Sequence, residues 1–219
     1  MKRKNSNNTW LYTICIVLIA IVFGFLSFIP VNIECIKPFI AYFDPTKLLS
    51  NLPLWIFTNC IISLYSHSEK TSILNTTLFS IVCFVSYSLF SIILTHTIPK
   101  DMFLTWILFI LIWTIFSYLV WSANRQDTKG WILSTILLAI LFSTCFTYTD
   151  NTLSSTTILN FLLYVFLVVV LYKGTKETLI IVILSIILAL ILSKTKIQII
   201  FTKSACIYFN PFVWQVLEV

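Results

Sequence analysis

The fold of this chain is decided by the stretch WILFILIWTIFSYLVWSANRQDTKGWILSTILLAILFSTC, residues Trp106–Cys145. It holds two apolar runs separated by the hydrophilic residues 123–130, with Trp121 and Trp131 at the two edges. About 20 apolar residues cross the ~30 Å hydrocarbon core of a bilayer, and tryptophan is enriched at the membrane–water interface. The stretch therefore predicts two membrane-spanning helices joined by a turn at the membrane surface. The turn is interpreted as an anchored connection, with a substrate or partner contact as the alternative.

The composition of the whole chain agrees with this local pattern. Of the 219 residues, 59% are hydrophobic and 10% are charged, and the mean hydropathy is +0.99. Soluble domains carry about 25% charged residues, so this chain has too few charges to cover a surface that faces water. We predict an all-α polytopic integral membrane protein.

Seven apolar segments account for most of the chain, and none of them contains Asp, Glu, Lys, Arg or His. The first is twenty residues long, which exceeds the h-region of a cleaved signal peptide, so we expect it to be retained. The short second segment leaves six spans as the alternative to seven. The segments are Trp10–Ile29, Leu48–Tyr65, Ile73–Leu94, Met102–Ser122, Trp131–Tyr148, Thr156–Tyr172 and Thr178–Leu192.

The predicted organisation has three parts. Residues 1–9 form a basic N-terminus, residues 10–192 a single transmembrane helical domain, and residues 193–219 an amphiphilic C-terminal tail. Lysine and arginine concentrate in cytoplasmic loops. Seven spans with a cytoplasmic N-terminus place eight of them inside and six outside, whereas six spans give seven on each side. Seven spans with the N-terminus inside are therefore preferred.

The net charge of +6 comes from short loops and the N-terminus rather than from a patch that would bind nucleic acid. Catalysis within the membrane would need a nucleophile with its base, or a metal site, at matched depth. The two histidines, His67 and His96, fall on opposite sides in the seven-span prediction. We predict no catalytic residues, no metal site and no cofactor.

Small residues recur every four positions on three segments, which lets helix backbones approach closely in lipid. Contacts within one chain, an interface with a partner, and coincidence all remain open as explanations. The predicted packing positions are Ala20 and Gly24 on the first segment, Thr135, Ala139, Ser143 and Thr147 on the fifth, and Ser185, Ala189 and Ser193 on the seventh.

Two further pairs of residues are candidates for a specific role. Trp106 and Trp113 are seven positions apart and share a helix face, so they are candidate ligand-lining residues, although lipid-facing or core packing is the preferred explanation. Cys35 and Cys206 both fall outside the membrane in the seven-span prediction, where a disulfide would persist. We nevertheless expect two free thiols rather than this bridge, because nothing in the sequence positions the two cysteines near each other.

Two stretches carry a resemblance to a known family. The runs WIFTNCIISLYSHSEKTSILNTTLFSIVCFVSYSLFSI, Trp55–Ile92, and VWSANRQDTKGW, Val120–Trp131, resemble uncharacterised multi-pass membrane proteins of low-GC Gram-positive bacteria. The likeness covers roughly Leu52 to Lys194 and implies the plasma membrane of a bacterium. It implies no activity and no functional residues.

The expected function follows from the absence of titratable groups within the spans. Ion-coupled transporters usually place such a group inside the bilayer. We expect a non-enzymatic membrane protein that acts as a transporter subunit or an accessory protein for other membrane subunits. A carrier or binding protein for a neutral or apolar solute is the alternative, and a membrane enzyme ranks below both.

Overall fold

The computed structural model describes residues 9–28, 52–96, 100–145 and 155–193. These ranges contain seven α-helices and no strand, so the predicted all-α class is confirmed for the described part of the chain. The helices are α1 Thr9–Phe28, α2 Leu52–Tyr65, α3 Glu69–Thr95, α4 Lys100–Ala123, α5 Thr128–Cys145, α6 Ser155–Val170 and α7 Thr175–Ser193.

Four of these helices, α1, α3, α4 and α7, are long and apolar enough to cross a membrane. The other three, α2, α5 and α6, are apolar but shorter, with apolar stretches of 10–17 residues. About 20 residues in a helix span the hydrocarbon core. Helix length and composition therefore support a membrane protein with at least four candidate spans.

Polar capping residues start α3 and α5 earlier than their apolar runs suggest. The Ser68 hydroxyl accepts a hydrogen bond from the Thr71 N–H at 3.2 Å, while the Thr71 hydroxyl accepts one from the Ser68 N–H at 2.8 Å. At α5, the Asp127 carboxylate accepts a hydrogen bond from the Gly130 N–H at 2.8 Å. Each cap satisfies N–H groups that the first helical turn leaves without a partner. Both helices consequently begin three or more residues before the predicted segments.

The end of α3 uses an uncommon backbone conformation. His96 has a φ of 55° in the left-handed region, and its N–H donates to the carbonyl of Ile92 at 3.1 Å. A left-handed residue is a common way to end a helix, although glycine usually fills the position. The His96 side chain is exposed.

The chain divides into two compact units. Unit 1 comprises residues 1–50 and 61–118, and unit 2 comprises residues 51–60 and 119–219. In unit 1, α1 packs against α3. Ala20 is fully buried there, and a Cβ on Gly24 would lie 2.6 Å from the Cβ of Ser86 and 2.7 Å from the carbonyl oxygen of Cys83. The two backbones meet this closely because α1 has no bulky side chain at these positions.

In unit 2, α5 packs against both α7 and α6. Leu138 and Ala139 of α5 are buried, as are Ser185 and Ala189 of α7. The Tyr164 hydroxyl of α6 lies 3.2 Å from the Ser185 hydroxyl, within hydrogen-bond distance. One small-residue face of α7 therefore serves packing inside the unit.

The outward surfaces of the helices are apolar, while many small polar side chains are buried. This distribution is unsuited to water, because large contiguous apolar patches are rare on soluble monomers. Exposed apolar side chains include Leu11, Leu18, Leu104, Ile112, Ile115, Leu162, Val169, Leu179 and Ile187. Buried polar side chains include Asn59, Ser63, Ser66, Ser72, Asn75, Ser80, Ser117, Ser134, Asn160 and Ser185.

Candidate functional site

A polar region inside unit 1 is formed by a group of side chains that we call the hydroxyl cluster: Thr13, Ser63, Ser66, Ser72 and Asn75. They come from the start of α1, from α2 and the turn that follows it, and from the start of α3. All except Thr13, which is partly exposed, are buried. The start of α1 and the α2–α3 turn therefore lie at the same end of unit 1.

One half of the hydroxyl cluster connects three helices through serine hydroxyls. The Ser63 hydroxyl donates to the carbonyl of Ser117 on α4 at 2.7 Å. The Ser63 and Ser72 hydroxyl oxygens are 2.6 Å apart. The Ser72 hydroxyl is also within hydrogen-bond distance of the Ser117 carbonyl, at 3.4 Å. A hydroxyl has one proton, so one of the two serines donates to the other, and that second serine donates to the Ser117 carbonyl. Both hydroxyl protons are thereby used within the protein.

The other half connects α1 to α2 and α3. The Thr13 hydroxyl donates to the Asn75 side-chain oxygen at 3.1 Å, and the Asn75 amide donates to the Ser66 hydroxyl at 3.2 Å. Ser66 donates in turn to the carbonyl of Ile62 at 2.8 Å, which also accepts from the Tyr12 hydroxyl at 3.0 Å. Interhelical hydrogen bonds of this kind contribute about 0.6 kcal/mol each in membrane proteins.

The chemistry available to the hydroxyl cluster is hydrogen bonding between neutral groups. Nucleophilic catalysis would require a base beside one of the hydroxyls, and the five members include no titratable side chain. In the described ranges, no group of three His, Cys, Asp or Glu residues is close enough to hold a metal ion. The arrangement is suited to holding helices together.

A row of aromatic rings lies along α4 and includes both candidate ligand-lining tryptophans. Trp106 contacts Phe109 with ring centroids 5.5 Å apart, and Trp113 contacts Phe109 at 5.4 Å and Phe116 at 5.2 Å. Phe84 of α3 adds a further ring, 5.5 Å from Trp106. These edge-to-face and tilted contacts are typical of packed aromatic clusters.

Within that row, the indole N–H of Trp113 is distinctive. Trp113 is 5% exposed, and its Nε1 atom has no hydrogen-bond partner among the described residues. Buried tryptophan N–H groups usually find an acceptor, and a buried donor without one costs about 1–3 kcal/mol. This N–H is therefore a donor that can take an acceptor from outside the described residues.

Two turns of unit 2 meet at one end of the unit. The Lys173 ammonium, in the α6–α7 turn, donates to the carbonyl of Arg125, in the α4–α5 turn, at 2.6 Å. Asp127 caps α5 with one carboxylate oxygen and has the other 3.9 Å from Nε of Arg125. Partial burial lowers the pKa of Lys173 from 10.5 to about 8, and the Asp127 charge partly opposes that change.

The predicted packing positions occupy different environments. Ala20 and Gly24 lie against α3, and Ala139, Ser185 and Ala189 are buried in unit 2. Thr135 and Ser143 are half-buried and donate to the carbonyls of Trp131 and Ile140 in their own helix. The remaining predicted positions, Thr147, the side chain of Ser193, Cys35 and Cys206, lie outside the described residues.

Sequence reasoning did not identify the hydroxyl cluster or the Lys173–Arg125 contact. A signal for the cluster was present, because Ser63 with Ser66 and Ser72 with Asn75 are each three positions apart on the two sides of one turn. Such spacing puts both polar groups of a pair on one helix face. The Lys173–Arg125 contact had no local signal, since 48 positions separate its two residues.

Comparisons of the chain with protein-family models, with curated proteins and with solved structures found no match. Over the residues that the structure describes, the class is an all-helical protein with four helices long and apolar enough to cross a membrane.

Proposed function

We propose that this chain is a seven-span membrane protein with a cytoplasmic N-terminus that acts as a non-catalytic subunit or accessory protein of a membrane transporter. The observation that carries the proposal is the state of the hydroxyl cluster. The Ser63 and Ser72 hydroxyls bond to each other and to the Ser117 carbonyl of α4, and the Asn75 amide donates to Ser66 in the α2–α3 turn. These polar groups of unit 1 are therefore engaged in packing.

The proposed topology is supported by contacts within each unit. In unit 1 the start of α1 meets the α2–α3 turn through Tyr12 and Thr13. In unit 2 the α4–α5 turn meets the α6–α7 turn through Lys173 and Arg125. Both contacts are compatible with helices that cross a membrane alternately, because alternate crossing puts the two segments of each pair on the same side.

We place the protein in the plasma membrane of a bacterium. The apolar outward faces of α1, α4 and α7 support a bilayer environment, and the resemblance to multi-pass proteins of low-GC Gram-positive bacteria supplies the particular membrane. The basic turns at Arg125, Lys129 and Lys176 support a cytoplasmic position for that end of unit 2.

A second candidate function is favoured by Trp113. Its buried indole N–H lacks an acceptor in the described part of the chain and lies in an aromatic row with Trp106. Apolar sites with one or two polar groups that fix orientation are typical of small-molecule binding. A carrier or binding protein for a neutral solute with one hydrogen-bond acceptor fits this observation.

The partner hypothesis is tested by the mass of the purified particle. The full-length chain, tagged and expressed in its native host, is purified in mild detergent and its protein mass is determined by light scattering. A particle containing one different membrane protein at fixed stoichiometry supports the proposal. A particle that contains this 25.3 kDa chain alone, under conditions that keep known host membrane complexes intact, contradicts it.

The solute hypothesis is tested by tryptophan fluorescence and thermal stability with a panel of neutral solutes. Binding near Trp113 should raise the melting temperature of the wild type. The same solute should not raise the melting temperature of Trp113→Phe, which keeps a ring but removes the N–H. Trp10→Phe is a matched control, since Trp10 is 81% exposed. Equal responses from both variants would rule out a site at Trp113.

A further inference from the structure

The described part of the chain presents a basic surface where the two turns of unit 2 meet. Arg125 and Lys129 come from the α4–α5 turn and the start of α5, and Lys176 comes from the start of α7. All three side chains are exposed. We call these three residues the basic surface.

The two turns are held together by a side chain that is itself partly buried. Lys173 donates to the carbonyl of Arg125 at 2.6 Å. Gly130 is required for this approach, because a Cβ there would overlap the Arg125 carbonyl oxygen and lie 3.0 Å from the Lys173 ammonium. These contacts hold the backbone at Arg125 against the α6–α7 turn, three residues before Lys176.

The acidic groups nearby do not cancel the basic surface. One oxygen of Asp127 is engaged by the Gly130 N–H at 2.8 Å, and the other is 3.9 Å from Nε of Arg125. Arg125, Lys129, Lys173 and Lys176 carry four positive charges, against two negative charges on Asp127 and Glu177. The surface keeps a net positive charge that favours an anion.

The location of the surface indicates the kind of anion. Trp121 and Trp131 flank the α4–α5 turn, and such aromatic rings lie at the headgroup level of a membrane. Basic groups at this depth contact anionic lipid headgroups. A phosphate group held by guanidinium and ammonium groups is the shared chemistry of a lipid headgroup and a free phosphate ester, and the membrane depth favours the lipid.

We propose that the basic surface is a binding site for the phosphate of an anionic phospholipid, with Arg125, Lys129 and Lys176 as its ligands and Lys173 as the positioning residue. The site rests on the proposed membrane location and adds a lipid specificity that the location alone does not require. A bilayer-embedded protein without such a site would bind neutral and anionic phospholipids equally well at this position.

The test uses the full-length chain in neutral detergent micelles, titrated with phosphatidylglycerol or phosphatidylcholine, with bound lipid counted by native mass spectrometry. One cation near an anionic surface changes affinity about five-fold. We expect Arg125→Gln to weaken phosphatidylglycerol binding about five-fold, and the triple variant with Lys129→Gln and Lys176→Gln to weaken it on the order of 100-fold. Phosphatidylcholine binding should not change.

Two variants separate a built site from a simple count of charges. Lys70→Gln removes an exposed charge at the start of α3 and should change phosphatidylglycerol affinity less than two-fold. Gly130→Ala removes no charge but displaces Arg125 from Lys173, and should weaken binding more than Lys70→Gln does. If Lys70→Gln and Arg125→Gln have equal effects, the site does not exist.

The remaining outcomes also decide the proposal. Equal binding of phosphatidylcholine and phosphatidylglycerol by the wild type would overturn it. Complete displacement of the lipid by millimolar glycerol phosphate would also overturn it, because the ligand would then be a free phosphate ester. If the triple variant fails to fold, the single variants carry the test. Selective binding of the anionic lipid by a particle with no partner subunit would support this site and contradict the proposed function.

Discussion

Adding one methyl group at Gly24 should separate α1 from α3. An alanine Cβ would lie 2.6 Å from the Cβ of Ser86, 2.7 Å from the Cys83 carbonyl oxygen and 3.0 Å from the Tyr87 nitrogen. Two of these three atoms belong to the backbone, so no rotamer change relieves the overlap. The helices must move apart, which also weakens the 3.4 Å hydrogen bond from the Cys83 thiol to the Ala20 carbonyl.

The magnitude follows from two opposing effects. Overpacking a core costs about 1–3 kcal/mol, while alanine is about 1 kcal/mol more favourable than glycine inside a helix. We expect Gly24→Ala to lower the free energy of unfolding by about 1 kcal/mol. Gly24→Leu adds bulk with no further gain in helix propensity and should cost about 3 kcal/mol.

The assay is reversible unfolding of the full chain by SDS in mixed micelles, followed by circular dichroism and tryptophan fluorescence. Val22→Leu is the matched control on the same helix, because Val22 is 52% exposed and should tolerate the change within about 0.5 kcal/mol. Equal unfolding free energies for Gly24→Leu and Val22→Leu would refute the close contact between α1 and α3.

Two further predictions concern unit 2. Replacing Ala189 by Leu, at a buried position of α7, should destabilise the protein in detergent by about 1–3 kcal/mol. The same SDS titration should show a smaller loss for Leu188→Ala. Equal tolerance of the two changes would place this face of α7 against lipid. Because the pKa of Lys173 is lowered to about 8, the rate of its acylation, measured by mass spectrometry of the labelled peptide, should have a midpoint near pH 8. Asp127→Asn should lower that midpoint, because the Asp127 charge raises the pKa of Lys173. The folded protein then binds fewer protons than the unfolded chain between about pH 8 and 10.5, so the contribution of Lys173 to the unfolding free energy rises with pH across that window; a midpoint near 10.5 would contradict its burial.

The helices were predictable because hydropathy reports them directly. Each of the seven apolar segments overlaps a helix, and Ile29, residues 48–51 and residues 146–148 of these segments lie outside the described residues. Where both bounds are described, several helices begin before the predicted segment. The segment beginning at Ile73 belongs to a helix that begins at Glu69, since the Ser68 and Thr71 cap extends α3 through residues that resemble a loop by polarity. Capping residues are polar because they satisfy N–H groups, and hydropathy alone assigns them to the connection.

The positions of small residues were predictable, but their partners were not. Ala20 and Gly24 were identified from spacing, yet nothing in the spacing indicates that they face Cys83 and Ser86 rather than another helix. A stripe of small residues predicts close approach by another helix backbone, but it does not predict which helix that is. The contact between Ser63 and Ser117 is equally dependent on how α2, α3 and α4 come together.

The environment of Trp113 shows a third limit of the sequence. The seven-residue spacing from Trp106 indicated a shared face, and both residues do contact Phe109. Whether an indole N–H finds an acceptor depends on groups from other helices at the same depth. The lack of an acceptor among the described residues therefore emerges only from the three-dimensional arrangement.

The central claim is that the helices cross a membrane alternately, with the α4–α5 and α6–α7 turns together on the cytoplasmic side. Reporter fusions after Lys129, Asn151 and Lys176 test it most directly. Two reporter enzymes are used, one active only in the cytoplasm and the other active only outside it. We predict signals on the same side after Lys129 and after Lys176, as the contact between Lys173 and Arg125 requires. The proposed orientation makes that side cytoplasmic and predicts an external signal after Asn151. Signals on opposite sides for Lys129 and Lys176, or a cytoplasmic signal after Asn151, would contradict the account.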